Sequence, residues 1–258
     1  MIRDDPRLAC RGVRLEVGSR TLVAQLDLQV RAGECWAIVG PNGAGKTTLV
    51  ATLAGLAVPA SGEIAYDGVP VARLGPRERA LRRGYLPQDS VDFFPATVLE
   101  TALIGRHPHL ARWQWESGAD VARARDALAA FGLEGFDARD VRTLSGGERR
   151  RLALSALVAQ DPGIFLLDEP SSHLDLGQQI AALGVITALA RERGKAVVMV
   201  LHDLHLAMRF ADYAIAVGGG SARTGAAADI LSAAALSDLF GHRLVQLGEG
   251  RTSTFVPS

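Results

Sequence analysis

Gly40-Pro41-Asn42-Gly43-Ala44-Gly45-Lys46-Thr47 is the stretch on which the fold turns, because it fits G-x-x-x-x-G-K-[ST] and sits between the right neighbours. Before it, Cys35-Trp36-Ala37-Ile38-Val39 is an unbroken apolar run that reads as a buried strand. After it, Thr47 to Leu56 has helical character and is stopped by Gly55 and Pro59. Strand, glycine-rich loop and helix in that order build a cradle for phosphate. Glycines let the backbone curl so that successive N–H groups point inward, and the helix N-terminus adds partial positive charge. Lys46 is then placed to reach the β and γ phosphates of a nucleotide, and the Thr47 hydroxyl to ligate Mg2+. The candidate nucleotide-binding residues of this segment are Gly40, Pro41, Asn42, Gly43, Ala44, Gly45, Lys46, Thr47 and Thr48.

Lysine usage singles out the same place. Of 28 basic residues only Lys46 and Lys195 are lysines, and the rest are arginines. A compact point charge on a flexible stem differs from a planar fork, and a site needing the former explains why Lys46 escaped the bias.

Around this segment the chain reads as α/β. Val13-Arg14-Leu15-Glu16-Val17 and Leu26-Asp27-Leu28-Gln29-Val30 alternate, with Gly18-Ser19-Arg20 and Arg31-Ala32-Gly33 as punctuation, which predicts antiparallel strands and turns. Glu63 to Gly68 reads as a strand and turn, Pro76 to Arg83 as a short helix, and Gly84-Tyr85-Leu86-Pro87 as a strand ending. From Gln88 to about Gln160 the pattern is mostly helical, as in Val121 to Phe131, with Val121, Ala124, Leu128 and Phe131 on one face. Strand signals return at Gly163 to Leu167, Ala196 to Leu201 and Tyr213 to Val217, with a helix at Gly177 to Arg193. The continuous apolar runs are those of parallel strands buried on both faces.

The 258 residues, 48% apolar and 22% charged, suffice for a sizeable core and rule out a largely disordered chain. The 28 basic and 28 acidic residues cancel, so no strongly basic nucleic-acid surface is expected. No apolar run approaches the roughly 20 residues of a membrane span, and Met1 to Pro6 has no apolar stretch after its charge, which speaks against a signal peptide. Cys10 and Cys35 form neither a CxxC nor a disulfide framework and read as two reduced buried thiols, consistent with the cytoplasm.

Two further segments carry chemistry. In Ile164-Phe165-Leu166-Leu167-Asp168-Glu169, two carboxylates emerge at the end of an apolar strand, where ligands of open α/β sheets bind. Asp168 is placed to hold Mg2+, directly or through water, and Glu169 to polarise an attacking water as general base. In Leu144-Ser145-Gly146-Gly147-Glu148, ahead of Arg149-Arg150-Arg151, Ser145 and Glu148 have capping-box spacing. This segment reads either as a capped helix start alone or as a second anion-binding helix N-terminus, with Gly146 and Gly147 giving close backbone approach.

Together these residues resemble the ATP-binding subunits of ABC transporters over nearly the whole chain. Leu144 to Glu148 resembles the family signature, Gln88 falls where the family has its Q-loop, Ser171-Ser172-His173-Leu174-Asp175 resembles the D-loop, and His202 the switch histidine. The resemblance implies a P-loop NTPase (RecA-like) core at residues 1–88 and 159–258, with an N-terminal antiparallel β subdomain and a helical subdomain inserted at residues 89–158. It also implies a head-to-tail pair of chains with two ATP molecules between them. Ser145 and the Gly146 and Gly147 amides, with Glu148 beside them, would then meet the partner's ATP. Gln88 would sense Mg2+ and the attacking water, His202 would contact the γ-phosphate, and Asp175 would couple the two sites. The family often stacks an aromatic residue on adenine; here Val17 holds that position, implying aliphatic contact and somewhat weaker or less base-selective binding.

A finer resemblance lies in Leu86 to Gln88, Thr97 to His109 and Val200 to Met208, which are similar to subunits of ferric-siderophore, haem and vitamin B12 importers, the type II class. It implies separate polytopic permease subunits, indirect partnership with a periplasmic or surface substrate-binding protein, no nucleic acid, and a position on the cytoplasmic face of the inner membrane. His107, His109, Trp113 and Trp115 read as permease-facing anchors in preference to a metal or haem site. His173 and His205 read as local motif and helix residues, and the tail from Gly218 resembles closing strands and a helix. Two other readings compete. One is a non-transport ABC ATPase of cofactor assembly. The other is a non-hydrolysing regulatory module, against which Glu169 and His202 argue. A GTPase is disfavoured because no NKxD follows.

Overall fold

The computed structural model describes residues 5–88 and 95–257. Residues 1–4, part of the opening read for a signal peptide, and residues 89–94, the first six of the helical insertion, lie outside the described residues.

Among the described residues two larger sheets, a two-stranded hairpin and a group of helices make up the fold. The first sheet is antiparallel and holds β1 (Leu8–Val17), β2 (Arg20–Val30), β4 (Ser61–Tyr66) and β5 (Val69–Pro70) in the order β2-β1-β4-β5. The second holds β3 (Cys35–Val39), β6 (Arg83–Leu86), β7 (Ile164–Asp168), β8 (Ala196–Val200), β9 (Tyr213–Gly218) and β10 (Ser221–Ala226) in the order β10-β9-β3-β8-β7-β6. Its pairings are parallel except the edge pair of β9 and β10. Every residue of β3, β7 and β8 is buried, as their unbroken apolar runs predict.

The two-residue period of a strand divides those side chains between two cores. Trp36, Ile38, Leu166, Val198 and Val200 join the antiparallel sheet and α1 (Lys46–Leu53) in one apolar cluster. Cys35, Ala37, Val39, Phe165, Leu167, Val197 and Met199 face the other way, against α6 (Leu176–Arg193) and α7 (Leu204–Phe210). Trp36 lies beside its register partner Tyr213, with ring centroids 4.8 Å apart. Cys10 and Cys35 are buried free thiols, and burial pushes each up to about 12.

The helices α3 (Val98–Leu103), α4 (Gly118–Ala130) and α5 (Gly146–Gln160) share a third cluster, built on Val98, Leu128, Leu133, Val141, Leu144 and Leu152. Each begins with a capping box: Thr97 with Glu100, Ser117 with Asp120, and Ser145 with Glu148. The buried Arg106 Nε donates to Asp120 at 2.9 Å and its Nη1 to the Ala159 carbonyl at 2.7 Å, which ties α4 to the end of α5. From there α5 runs into the second core through Leu154 and Leu157.

The helix after the phosphate loop is shorter than its pattern suggests. It ends at Leu53 rather than Leu56, because Ala54 caps it and Gly55 turns left-handed at φ 68°. The helix read to Arg83 is α2 (Pro76–Arg82), and Arg83 opens β6 instead. The tail from Gly218 folds as β10, α8 (Ala227–Ile230), α9 (Ala233–Phe240) and the hairpin β11 (Leu244–Leu247) with β12 (Thr254–Pro257).

Candidate nucleotide site

The strand order brings the chemistry to one edge. β3, β6, β7 and β8 run parallel, so Gly40, Gln88, Asp168, Glu169 and His202 all lie at or just past the carboxyl ends of neighbouring strands. A cavity of about 610 Å³ opens there, lined in part by Asn42, Gly43, Gly45, Lys46, Thr47, Thr48, Gln88, Glu169 and His202. Gly40, Pro41 and Ala44 shape the loop without lining that cavity. A Cβ on Gly40 would lie 2.1 Å from the Val217 carbonyl, so only glycine lets the chain leave β3 there. Gly45 stands before α1 at φ 103°.

Lys46 Nζ donates to the Gly40 carbonyl at 2.8 Å and the Pro41 carbonyl at 3.0 Å, spanning the loop from within. Burial holds this ammonium below its ordinary value, while Glu169 and Asp168 pull the other way. The Asp168 carboxyl is pushed up by burial, and the charge of Glu169 adds to the push, with the Thr47 side chain and Arg150 opposing. Among the described residues neither Asp168 oxygen makes an aligned hydrogen bond, although both are buried. A buried carboxylate whose nearest donor is the Thr47 hydroxyl, itself a ligand group for a hard divalent cation, fits Mg2+, and Gln88 adds an amide oxygen at the same edge.

Glu169 is left-handed at φ 51°, an uncommon state for a residue with a side chain. That turn brings its Oε1 to 2.6 Å from His202 Nε2. The pair supplies a carboxylate able to accept a proton from water and an imidazole held in place by it.

Ser145, Gly146, Gly147 and Glu148 lie outside this cavity, at the N-terminus of α5. The Glu148 amide donates to Ser145 Oγ at 3.2 Å and the Ser145 amide to Glu148 Oε2 at 2.7 Å. That backbone bond, joined by Arg139 at 2.9 Å, holds Glu148 below the usual carboxylate range. Its carboxylate is thus spent on the helix start. Asp175 also lies outside the cavity and caps α6, accepting from the Gln178 amide at 2.8 Å. His173, left-handed at φ 63°, packs near Gly146 and Gly147, and His205 Nδ1 meets the Ser253 carbonyl at 3.1 Å. His107 faces Glu116 at 3.6 Å and His109 the Gln160 carbonyl at 2.8 Å. Among the described residues no group of three or more His, Cys, Asp or Glu is placed to hold a metal ion.

Three positions are additions to the sequence reading. Arg20 and Leu22 line the cavity beside Val17. Arg20 is the cross-strand partner of Val17, and the two-residue period puts Leu22 on the same face of β2, a signal the sequence did hold. The third is Arg150, buried in α5. Val17 is 57% exposed at the cavity mouth. An aromatic ring there adds about 0.5–1.5 kcal/mol of stacking, so Val17→Tyr is expected to tighten nucleotide binding by about twofold to tenfold. Calorimetric titration with ATP checks this, and unchanged affinity would place the base elsewhere.

Comparison with known proteins finds similar sequences and similar folds. The family model described as ABC transporter matches residues 23–172. A hemin import ATP-binding protein of Myxococcus xanthus is 42% identical over 245 residues, 92% of this chain and 91% of that protein. Among solved structures, an inward-facing metal-chelate type ABC transporter superposes with a TM-score of 0.85 at 25% identity, covering 98% of both chains. The dimeric post-hydrolysis state of an ATP-binding cassette with ADP and Pi gives 0.74 at 26% identity, covering 85% of this chain and 98% of that one.

Proposed function

The chain belongs to the ABC transporter family and is an ATPase of that family, and from this premise we propose that it powers an importer of a metal chelate such as haem. The observation that carries the reading is the convergence of Lys46, Thr47, Gln88, Glu169 and His202 on one cavity at the strand ends. The whole-length likeness to a hemin import subunit supports the cargo class.

In this reading the amides of residues 42–47 and the Lys46 ammonium bind the β and γ phosphates, in a curl that α1 extends. Thr47 and Asp168, with Gln88 beside them, would hold Mg2+, which would supply neutralisation of developing phosphate charge. Glu169 orients the attacking water and accepts its proton. His202, fixed by Glu169, contacts the γ-phosphate. Two copies pack head to tail, so that Ser145, Gly146 and Gly147 of one meet the ATP of the other, and Asp175 lies at the seam. Loss of the γ-phosphate removes that bridge and the pair reopens.

No helix among the described residues is long and apolar enough to cross a membrane; in this reading the translocation path belongs to partner chains. An apolar groove of about 280 Å³ between β6, α5 and the segment after α3, lined by Tyr85, Leu86, Ile104, Leu152, Ala153 and Leu157, suits a permease helix. Trp113 and Trp115, 87% and 86% exposed, suit the same partner. The subunit then sits at the cytoplasmic face of the inner membrane, with a substrate-binding protein reached only through the permease.

The test is co-purification from native membranes with Glu169→Gln protein held in ATP. A polytopic permease among the captured chains is expected, and its neighbours narrow the cargo. Capture of soluble cofactor-assembly proteins alone would overturn the transport assignment and leave the ATPase intact.

A further inference from the structure

Arg150 lies one turn into α5, in the middle of a run of three arginines whose neighbours do other work. Arg149 reaches the Arg142 carbonyl, and Arg151 reaches those of Phe131 and Gly132. Arg150 instead points into the core and is 3% exposed. Its Nη1 donates to the Pro87 carbonyl at 2.7 Å and the Gln88 carbonyl at 3.1 Å. Its Nη2 donates to the Glu169 carbonyl at 2.7 Å and to the Asp168 carbonyl.

These four acceptors belong to two strand ends. β6 and β7 pair in parallel with Leu86 opposite Leu167, so the carbonyls of Pro87, Gln88, Asp168 and Glu169 lie just past the paired region. A planar guanidinium with donors on both arms spans that gap and serves as the next rung of the ladder. Its rung ends on the two residues whose side chains are placed to handle the attacking water. Glu169 is held at both ends, its carbonyl by Arg150 and its carboxylate by His202, across a left-handed turn that is costly for glutamate.

We propose that Arg150 is a positioning residue that sets Gln88 and Glu169 in register with each other and ties both to the helix carrying Ser145, Gly146 and Gly147. A displacement at the start of α5 therefore reaches both side chains through one guanidinium. Lysine keeps the charge but gathers its donors on one nitrogen, so it has no separate arm for each strand end. Glutamine keeps a hydrogen-bonding head on a shorter stem.

The inference rests on the assignment of Gln88 and Glu169 to hydrolysis, so Glu169→Gln is measured beside it. Steady-state ATP hydrolysis and thermal melting of the full chain are compared for Arg150→Gln, Arg150→Lys and the parent. Misplacement of the water-handling groups by about an ångström is expected to lower kcat of folded Arg150→Gln by roughly tenfold to a hundredfold. KM for ATP stays within about threefold, because the phosphate loop is untouched. Arg150→Lys is expected to fall between Arg150→Gln and the parent. Parental kcat in folded Arg150→Gln, with Glu169→Gln inactive, overturns the inference, as does a loss that merely tracks the unfolded fraction. If Arg150→Gln does not fold, Arg150→Lys decides, and parental kcat there has the same meaning. Parental turnover in Glu169→Gln removes the catalytic assignment and this inference with it.

Discussion

Lys46→Ala is expected to lower ATP turnover by about a thousandfold, the upper range for loss of one donor aimed at developing charge. Lys46 is 6% exposed and its Nζ bridges the Gly40 and Pro41 carbonyls, so a single ammonium occupies the centre of the loop. Alanine leaves the glycine backbone and its amides in place but removes the ammonium that bridges the loop from within. Nucleotide affinity should fall as well. The fold should survive, because β3 and the rest of α1 are packed by Ile38, Leu49, Val50 and Leu53. Lys46→Arg is not expected to restore turnover, since the loop closes on a compact point donor and a planar fork does not fit. Phosphate-release assays with melting curves check both variants. Turnover within tenfold of the parent in folded Lys46→Ala would remove the site assignment.

Glu169→Gln should separate binding from hydrolysis. The amide has the shape of the carboxylate, so the turn at φ 51° and the contact to His202 have no steric reason to change. What is lost is a proton acceptor. General-base catalysis contributes typically about a hundredfold to ten-thousandfold, and turnover should fall by that much. ATP binding should persist, and with hydrolysis blocked the head-to-tail pair should accumulate. Size-exclusion chromatography with ATP and Mg2+ reads the pair, and an ATPase assay reads the loss. A protein that is inactive yet monomeric in ATP would overturn the shared-site reading. One that still hydrolyses ATP would move the base elsewhere.

The phosphate loop was legible because everything it needs is contiguous: an apolar strand, glycines, a lysine, a threonine and a helix within residues 35–56. Asp168 and Glu169 were legible for a similar reason, at the end of a run too apolar to be anything but a buried strand. Arg150 was not. Its partners lie 62 and 63 residues before it and 18 and 19 after it, and only the pairing of β6 with β7 puts them side by side. A run of arginines reads as a solvated face, and nothing local tells which one turns inward. Helix ends were read to within a few residues, as with α1, because Gly55 stops the helix through a left-handed turn and the turn that precedes it is set by packing. Arg20 was read as part of a turn; it opens β2 instead, and the loop it overhangs is some twenty residues away in sequence.

The three capping boxes have a mechanical consequence. A helix whose first amides are satisfied only by water frays, and a frayed end bends before it transmits a push. Thr97 with Glu100, Ser117 with Asp120 and Ser145 with Glu148 close the leading turns of α3, α4 and α5. Their shared apolar cluster and the buried Arg106–Asp120 pair lock the bodies together. The three helices are therefore expected to move as one body, a stiff lever with little compliance of its own. Force applied at one end of it arrives at the other as displacement rather than being absorbed as bending.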